Sequence, residues 1–409
     1  MPQLNKDDLE SLLRPQFGND LVVESFTSTA LTQPGENYGS TMLALEVNIV
    51  QEPNKTKQKL PLVAKLAPPN EYLWKLFDTP NTFFKEISCY VEVKEEYENL
   101  QKERGISKDK YLDVFPKCYG ARTTLAKNIG PVADKNAALL LENLKVSNYC
   151  LGDRRKGLDL NHTKLVVTQL ARFHAIAVAI KLLKPRVFEQ TILKACRPFN
   201  HGLSKEETEK CNISLAESVA AIPECKVYLE NIQRQLEENL KNYIKQLPIA
   251  KEPFGSIGHQ DFWVNNMMFC YDINNKPSGI KFLDFQGVEY MSLTRDLIFF
   301  LYSSTAIGVL ETFYEMLIQL YHQNFIDCLS DLGCDITPFS LQSFLKEIDE
   351  MAPHEFFHIL FMLRVVCGDK KTTPQLADLK SETLMPDTNE IFESRAKRVV
   401  LDFVKRGWI

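Results

Sequence analysis

The sequence predicts an α+β protein in two parts, a small and mostly β N-terminal lobe followed by a large and mostly helical C-terminal lobe. Three observations predict it. Short strand-like runs separated by turn-rich stretches fill residues 21–66 and recur near 113–122 and 137–142. Beyond residue 143, long patterns with the 3.6-residue period take over. Inside that helical part lies one strand-like interruption, residues 256–286.

Taken in order, residues 1–20 predict a short helix with Leu9, Leu12 and Leu13 on one face, ended by Pro15 and Gly18. Strands follow at 21–27, 41–50 and 60–66, with the turn-rich stretch Gln33-Pro34-Gly35-Glu36-Asn37-Tyr38-Gly39-Ser40 between the first two. A helix is expected over about 80–103, then the strands near 113–122 and 137–142. The helices expected afterwards span about 161–183, 206–245, 292–303, 307–331, 338–349 and 388–405. The change of character divides the chain into lobes of residues 1–143 and 144–409.

Composition narrows the function classes. The chain has 409 residues, 44% of them hydrophobic and 25% charged, the balance of a globular protein large enough for two lobes with one site between them. The net charge of −5, with both signs interspersed, offers no basic field for a phosphate backbone, so nucleic acid is not an expected partner. The N-terminus lacks the pattern of a signal peptide. Apolar runs such as 297–302 and 359–363 are far shorter than the about 20 residues of a membrane span, so no membrane insertion is expected. Ten scattered cysteines without a CxxC pair read as free thiols. A cytosolic monomer is the expectation.

The segment Ser256-Ile257-Gly258-His259-Gln260-Asp261-Phe262-Trp263-Val264-Asn265-Asn266 carries the chemistry. Asp284, in Phe282-Leu283-Asp284-Phe285-Gln286, lies 18 residues beyond Asn266. Phosphoryl transfer asks for these residue types. One carboxylate, here Asp261, must sit beside the attacking hydroxyl, with His259 two residues before it. An amide oxygen and a second carboxylate, here Asn266 and Asp284, suit Mg²⁺ on the phosphates of ATP, because Mg²⁺ prefers hard oxygen ligands. Residues 279–283 read as the strand that delivers Asp284.

The N-terminal lobe holds matching parts. Lys65, in Leu62-Val63-Ala64-Lys65-Leu66, can point from its strand into the cleft toward the α- and β-phosphates. Glu86, 21 residues later on a helix, is the expected ion-pair partner, with Glu92 as the fallback. Asn37, Gly39 and Ser40 belong to a turn whose backbone N–H groups could cover phosphates, and an ordinary hairpin turn fits the same residues. Leu139-Leu140-Leu141-Glu142-Asn143-Leu144 has the shape of a strand entering a hinge, where main-chain groups around Glu142 and Leu144 would take the adenine.

These residues resemble the ecdysteroid-kinase-like family of insects, which is grouped with choline kinases and aminoglycoside phosphotransferases in the protein-kinase-like superfamily. The resemblance rests on His259-Gln260-Asp261-Phe262-Trp263-Val264-Asn265-Asn266-Met267-Met268-Phe269 and on Asp284-Phe285-Gln286. It is supported by Asn37-Tyr38, by Leu141-Glu142-Asn143-Leu144, by Leu170-Ala171-Arg172-Phe173-His174-Ala175, and by the likeness of the Lys65 strand to the V-A-I-K strand of kinases. It covers roughly residues 30 to 300. It implies a two-lobe protein-kinase-like fold, and an ATP- and Mg²⁺-dependent transfer to a hydroxyl of a small molecule, an ecdysteroid or a dietary phenol or its glycoside. It further implies Asp261 as catalytic base, Asn266 and Asp284 as metal ligands, and Asp296 as the acid that supports the catalytic loop. One departure stands out: Gln260 occupies a position where the family usually has Gly, and a Gly there could allow a positive φ.

Two further readings stay open, a nucleotide- or ligand-binding pseudokinase and a choline-type kinase with a cage for a quaternary ammonium. Trp263, Phe299, Phe300, Tyr302, Phe313, Tyr314, Phe356 and Phe357 supply aromatic surface for an apolar acceptor, although helical spacing makes most of them core. His354-Glu355-Phe356-Phe357-His358 matches H-E-x-x-H, with Glu382 further on as a third zinc ligand. Pro353 speaks against that, because proline suits only a helix start and would leave both histidines on a frayed first turn.

Overall fold

Why the chain begins as a helix lying on a sheet is visible in its first residues. Asn5 caps the helix α1 (Lys6–Phe17) and exchanges hydrogen bonds with Asp8, and Leu9, Leu12 and Leu13 form its buried stripe. The computed structural model describes residues 4–31, 40–51, 56–68, 71–125, 132–198, 204–245, 250–368 and 387–409. Pro15 lies inside α1 rather than ending it, and the helix stops at Gly18, whose φ is 100°.

Three antiparallel strands follow, β1 (Leu21–Ala30), β2 (Thr41–Gln51) and β3 (Thr56–Leu66). Next come the short α2 (Glu71–Leu76), then α3 (Thr79–Ser88) and α4 (Lys94–Glu103), joined without a break by a π-helical stretch, Cys89–Val93. The strands β4 (Cys118–Arg122) and β5 (Ala138–Glu142) complete a five-stranded antiparallel sheet in the order β1-β2-β3-β5-β4. Alternation along β3 and β5 gives the sheet two working faces. Leu60, Leu62, Ala64 and Leu66, with Ala138 and Leu140, pack against α1 in a small core. Leu139 and Leu141 point the other way, into the large core with Phe83 and Ile87 of α3. Lys65 falls between Ala64 and Leu66, so it shares that second face.

The remainder starts with β6 (Cys150–Leu151) and the core helix α5 (Leu160–Leu183). By length and composition α5 could cross a membrane, which the shorter apolar runs did not suggest, but 67% of its most apolar stretch is buried within the protein. A short α6 (Pro185–Val187) leads into a π-helical turn at Phe188–Leu193. The helix expected over 206–245 is two helices, α7 (Lys205–Ala220) and α8 (Leu229–Lys245), separated by turns around Pro223. The interruption at 256–286 comprises β7 (Gly255–Gly258), β8 (Met267–Tyr271) and β9 (Pro277–Phe282), and β10 (Glu289–Ser292) returns to pair with β7. The chain ends in α9 (Leu293–Ser304), α10 (Val309–Asp331), α11 (Leu341–Cys367) and α12 (Glu390–Arg406).

The structure corrects the expectation for Pro353. It sits inside the 27-residue α11, not at a helix start, and its carbonyl oxygen accepts amide hydrogens from Gln235 and Asn239. The aromatic expectation divides as the helical spacing suggests. Phe299, Phe300, Tyr302 and Phe356 are fully or almost fully buried, and Tyr302, Tyr314 and Phe403 gather around Trp408.

Candidate active site

Lys65 is carried by β3 to a point where two carboxylates converge on it. Its Nζ lies 2.6 Å from Glu86 Oε2 and 2.6 Å from Asp284 Oδ1. Glu86 comes from α3, whose inner face is buried, and Asp284 from the residue pair after β9, more than two hundred positions along the chain. Burial opposes the charge on Lys65, yet Asp284 and Glu86 outweigh it and hold the ammonium pKa above its ordinary value. Burial pushes the Glu86 carboxyl up, and Asp284 adds to that push. Glu92, the fallback partner, pairs instead with Lys194 at the surface.

Asp284 itself adopts a left-handed conformation, φ 64° and ψ 60°, which short polar residues tolerate better than most. That kink turns the chain out of β9 and into Phe285, whose ring meets Tyr90 edge-on at 5.3 Å. A Cβ on Gly287 would stand 3.1 Å from the His259 carbonyl oxygen and 3.3 Å from Gln260 Cβ, so the loop after Asp284 and the loop of Asp261 approach at a glycine.

The second loop begins where β7 ends. His259 is fully buried, and its Nε2–H donates to the Leu283 carbonyl at 2.9 Å, which ties one loop to the other. The backbone N–H groups of His259 and Gln260 donate to the two oxygens of Asp296, at 2.6 and 3.0 Å. His174 Nε2 donates to Asp296 Oδ2 at 3.2 Å, and its Nδ1 accepts from Tyr321 Oη at 2.6 Å. Gln260 has φ 70°, so the position where the family favours glycine does take the left-handed conformation. Its side-chain amide is held by Glu289 Oε2 at 2.9 Å.

Asp261 follows directly. Its Oδ2 and its carbonyl oxygen accept from Asn266 Nδ2, at 2.8 and 2.9 Å. Burial raises the Asp261 carboxyl pKa, the nearby Asp284 charge raises it further, and His259, His358 and the Asn266 bond oppose the rise. Asn266 spends its amino group on Asp261, and Oδ1 of Asp284 is taken by Lys65; among the described residues Asn266 Oδ1 and Asp284 Oδ2 have no hydrogen-bond partner. Such a pair of oxygens suits a hard cation such as Mg²⁺ and not a thiophilic one. Among the described residues, no cluster of three or more His, Cys, Asp or Glu could hold a metal ion.

Of the other expected residues, Ser40 is buried at the start of β2, while Asn37 and Gly39 lie outside the described residues, as does Glu382. Glu142 closes β5 opposite Leu62, and its carboxylate accepts the Lys117 N–H at 2.8 Å. The Leu144 carbonyl accepts from Ser147 and Tyr149, whereas no hydrogen bond from its own N–H is found among the described residues. Two features escaped the sequence reading. The role of His174 leaves no local sequence signal, because its partners lie 122 and 147 positions away. The grouping of Glu355 with Arg295 and His358 was hidden behind the zinc-like pattern.

The sequence pattern of the ecdysteroid kinase-like family matches residues 34–334. The chain belongs to the ecdysteroid kinase-like family. The class so defined is that of small-molecule kinase-like folds. No curated protein sequence matches the chain. Among solved structures it is similar to a Plasmodium vivax ethanolamine kinase, with 11% identity over 98% of this chain and 87% of that one and a TM-score of 0.40. It is also similar to a choline kinase from Cryptosporidium parvum Iowa II, with 10% identity over 94% of this chain and 91% of that one and a TM-score of 0.43. A microcompartment-associated aminopropanol kinase gives 10% identity over 94% of both chains and a TM-score of 0.43.

Proposed function

We propose that the protein is an ATP- and Mg²⁺-dependent phosphotransferase that moves the γ-phosphoryl group of ATP to a hydroxyl of a small lipophilic molecule, an ecdysteroid or a phenol or its glycoside. The observation that carries this reading is the meeting of Lys65, Glu86 and Asp284 at 2.6 Å, with the bonded pair Asp261 and Asn266 within electrostatic reach of Asp284. A binding module has no use for the complete set.

In this reading, residues 1–143 form the nucleotide lobe and residues 144–409 the catalytic and acceptor lobe. Lys65, steadied by Glu86, neutralises the α- and β-phosphates. Backbone groups of Asn37, Gly39 and Ser40 would cover the phosphates, and the Leu144 N–H with the Glu142 carbonyl would receive the adenine. Asn266 Oδ1 and Asp284 Oδ2 would hold Mg²⁺, which when bound offsets the charge on the phosphates. Asp261 orients the acceptor hydroxyl and takes its proton as the new oxygen–phosphorus bond forms and ADP departs. His259 acts from behind, by locking the Asp261 loop to Leu283, the residue that follows β9. Positioning and charge stabilisation supply the rate.

A steady-state screen with ATP and Mg²⁺ against hydroxysteroids, phenols, choline, aminoglycosides and a peptide tests the proposal. Turnover of steroids or phenols is expected. Far better turnover of choline, an aminoglycoside or the peptide would overturn the acceptor assignment, and no turnover of any would overturn the enzyme.

A further inference from the structure

The residue before Asp261 is held in a strained state. Gln260 stands at φ 70°, a left-handed conformation that a side chain with a Cβ enters only at a cost and that glycine enters freely. Three contacts keep it there. Its backbone N–H donates to Asp296 Oδ1 at 3.0 Å. Its Cβ lies 3.3 Å from where a Cβ on Gly287 would stand, so the loop after Asp284 packs against it at a glycine. Its side-chain Nε2–H donates to Glu289 Oε2 at 2.9 Å. A carboxylate only accepts, so this last bond fixes which end of the Gln260 amide faces Glu289.

Glu289 has a firm base for that bond. It opens β10 and pairs with Gly258 of β7, the strand that feeds the Asp261 loop. Tether and loop therefore leave from the same strand pair, and Glu289 reaches the residue two places beyond its own partner. Glu289 also acts on α3. Burial pulls the ammonium of Lys85, the neighbour of Glu86, down to about 8, and the Glu289 charge is foremost among those that oppose the fall.

We propose that Glu289 is a positioning residue for Asp261 that acts through Gln260: its bond to the Gln260 side chain holds residue 260 in the left-handed conformation from which Asp261 is aimed. Released from Glu289, Gln260 gains by rotating toward negative φ, and Asp261 turns with it. A shift of about 1 Å at a reacting group costs on the order of 10²-fold in rate. The Asp296 bond that remains limits the swing, so a smaller loss, ~10-fold, is expected. With glycine at position 260 there is neither strain to resist nor a side chain to hold, and Glu289 has no part in the aiming. The inference deepens the phosphotransferase reading and rests on it.

A double-mutant cycle tests it. Glu289→Leu should lower kcat ~10-fold for the hydroxysteroid or phenol that wild type turns over fastest, with Mg²⁺-ATP affinity unchanged in calorimetry. The same substitution on a Gln260→Gly background should change kcat by less than about 2-fold. The effect on Lys85 is present in both backgrounds and cancels from the comparison. Glu289→Gln keeps an oxygen for Gln260 Nε2 but removes the charge that Lys85 feels. It should lower the melting temperature, as Glu289→Leu does, yet keep kcat within about 3-fold of wild type. Glu289→Ala serves in both backgrounds if the Leu variant does not fold. An equal fall in kcat in both backgrounds, or a Glu289→Gln variant as slow as Glu289→Leu, overturns the inference. Deuterium exchange at the amides of residues 259–262 gives a readout without turnover: Glu289→Leu should speed it ~10-fold with Gln260 and leave it unchanged with Gly at that position. If wild type phosphorylates no acceptor, the kinase reading falls and the exchange decides the pair by itself. A difference between the backgrounds retains the tether, and equal effects in both overturn it as well.

Discussion

Replacing Asp296 with Asn would probe how the Asp261 loop is held. The carboxylate is 1% exposed and accepts three bonds, from the His259 N–H, the Gln260 N–H and His174 Nε2. Hydrogen bonds to a charged group contribute about 1.5–3 kcal/mol each. An Asn turned to keep its oxygen toward His259 and His174 retains two bonds, each roughly half as strong once the charge is gone. Its amino group then faces the Gln260 N–H, donor against donor. One lost bond and two weakened ones amount to about 3–6 kcal/mol, overlapping the range for a broken buried pair. Gln260, held at φ 70°, lies about 1–2 kcal/mol above an ordinary conformation and has that much to gain by relaxing. Asp261 is the next residue, and a shift of about 1 Å at a reacting group costs on the order of 10²-fold in rate. Urea unfolding should therefore give a loss of about 3–6 kcal/mol and steady-state kinetics a fall in kcat of ~10²-fold, with calorimetry giving unchanged Mg²⁺-ATP affinity. A variant within about 1 kcal/mol of wild type, with normal kcat, would refute the reasoning.

Other perturbations separate the remaining parts. Asp284→Ala should weaken Mg²⁺-ATP more than metal-free ATP in calorimetry, and equal losses would remove it from the metal. Lys65→Met should lower ATP affinity or turnover while the Mg²⁺ requirement in the assay stays the same, and it leaves Glu86 buried without its cation, so thermal melts should fall too. Gln260→Gly should sit within about 1 kcal/mol of wild type in urea melts, since relief of the left-handed conformation offsets the lost bond to Glu289. Glu355 has a folded pKa of about 2 against an ordinary 4.5, so its stabilisation is complete above about pH 4.5 and fades as pH falls toward 2. The unfolding free-energy gap between wild type and Glu355→Gln should accordingly shrink by about 3 kcal/mol over that window, and a constant gap would contradict it.

Much of this arrangement was legible beforehand, for physical reasons that can be named. The alternation of Leu62, Ala64 and Leu66 fixes which face Lys65 takes, and the helical register then puts Glu86 within reach of that face. The change of period after residue 143 separates the sheet from the helices because each buries a different geometry of apolar face. What stayed hidden depends on tertiary context. Pro15 and Pro353 read as helix breakers, yet both lie inside helices, and the Pro353 carbonyl is taken by Gln235 and Asn239 of α8, partners invisible to any local pattern. Pro223 does break the long run over 206–245, which the periodicity alone joined. The π-helical stretch Cys89–Val93 lies within an otherwise regular helical pattern and leaves no mark in it. The histidines showed the same limit. His354-Glu355-Phe356-Phe357-His358 carries a metal-like spacing, but the spacing does not reveal that Arg295 already claims the carboxylate.

The most direct measurement is mass-spectrometric product identification after incubating the purified protein with ATP, Mg²⁺ and hydroxysteroid and phenol acceptors. The account predicts an acceptor heavier by one phosphoryl group with wild type, and at least ~10²-fold less of it with Asp261→Asn, whose Mg²⁺-ATP binding is retained. Equal product from both proteins, or none from wild type, would contradict it.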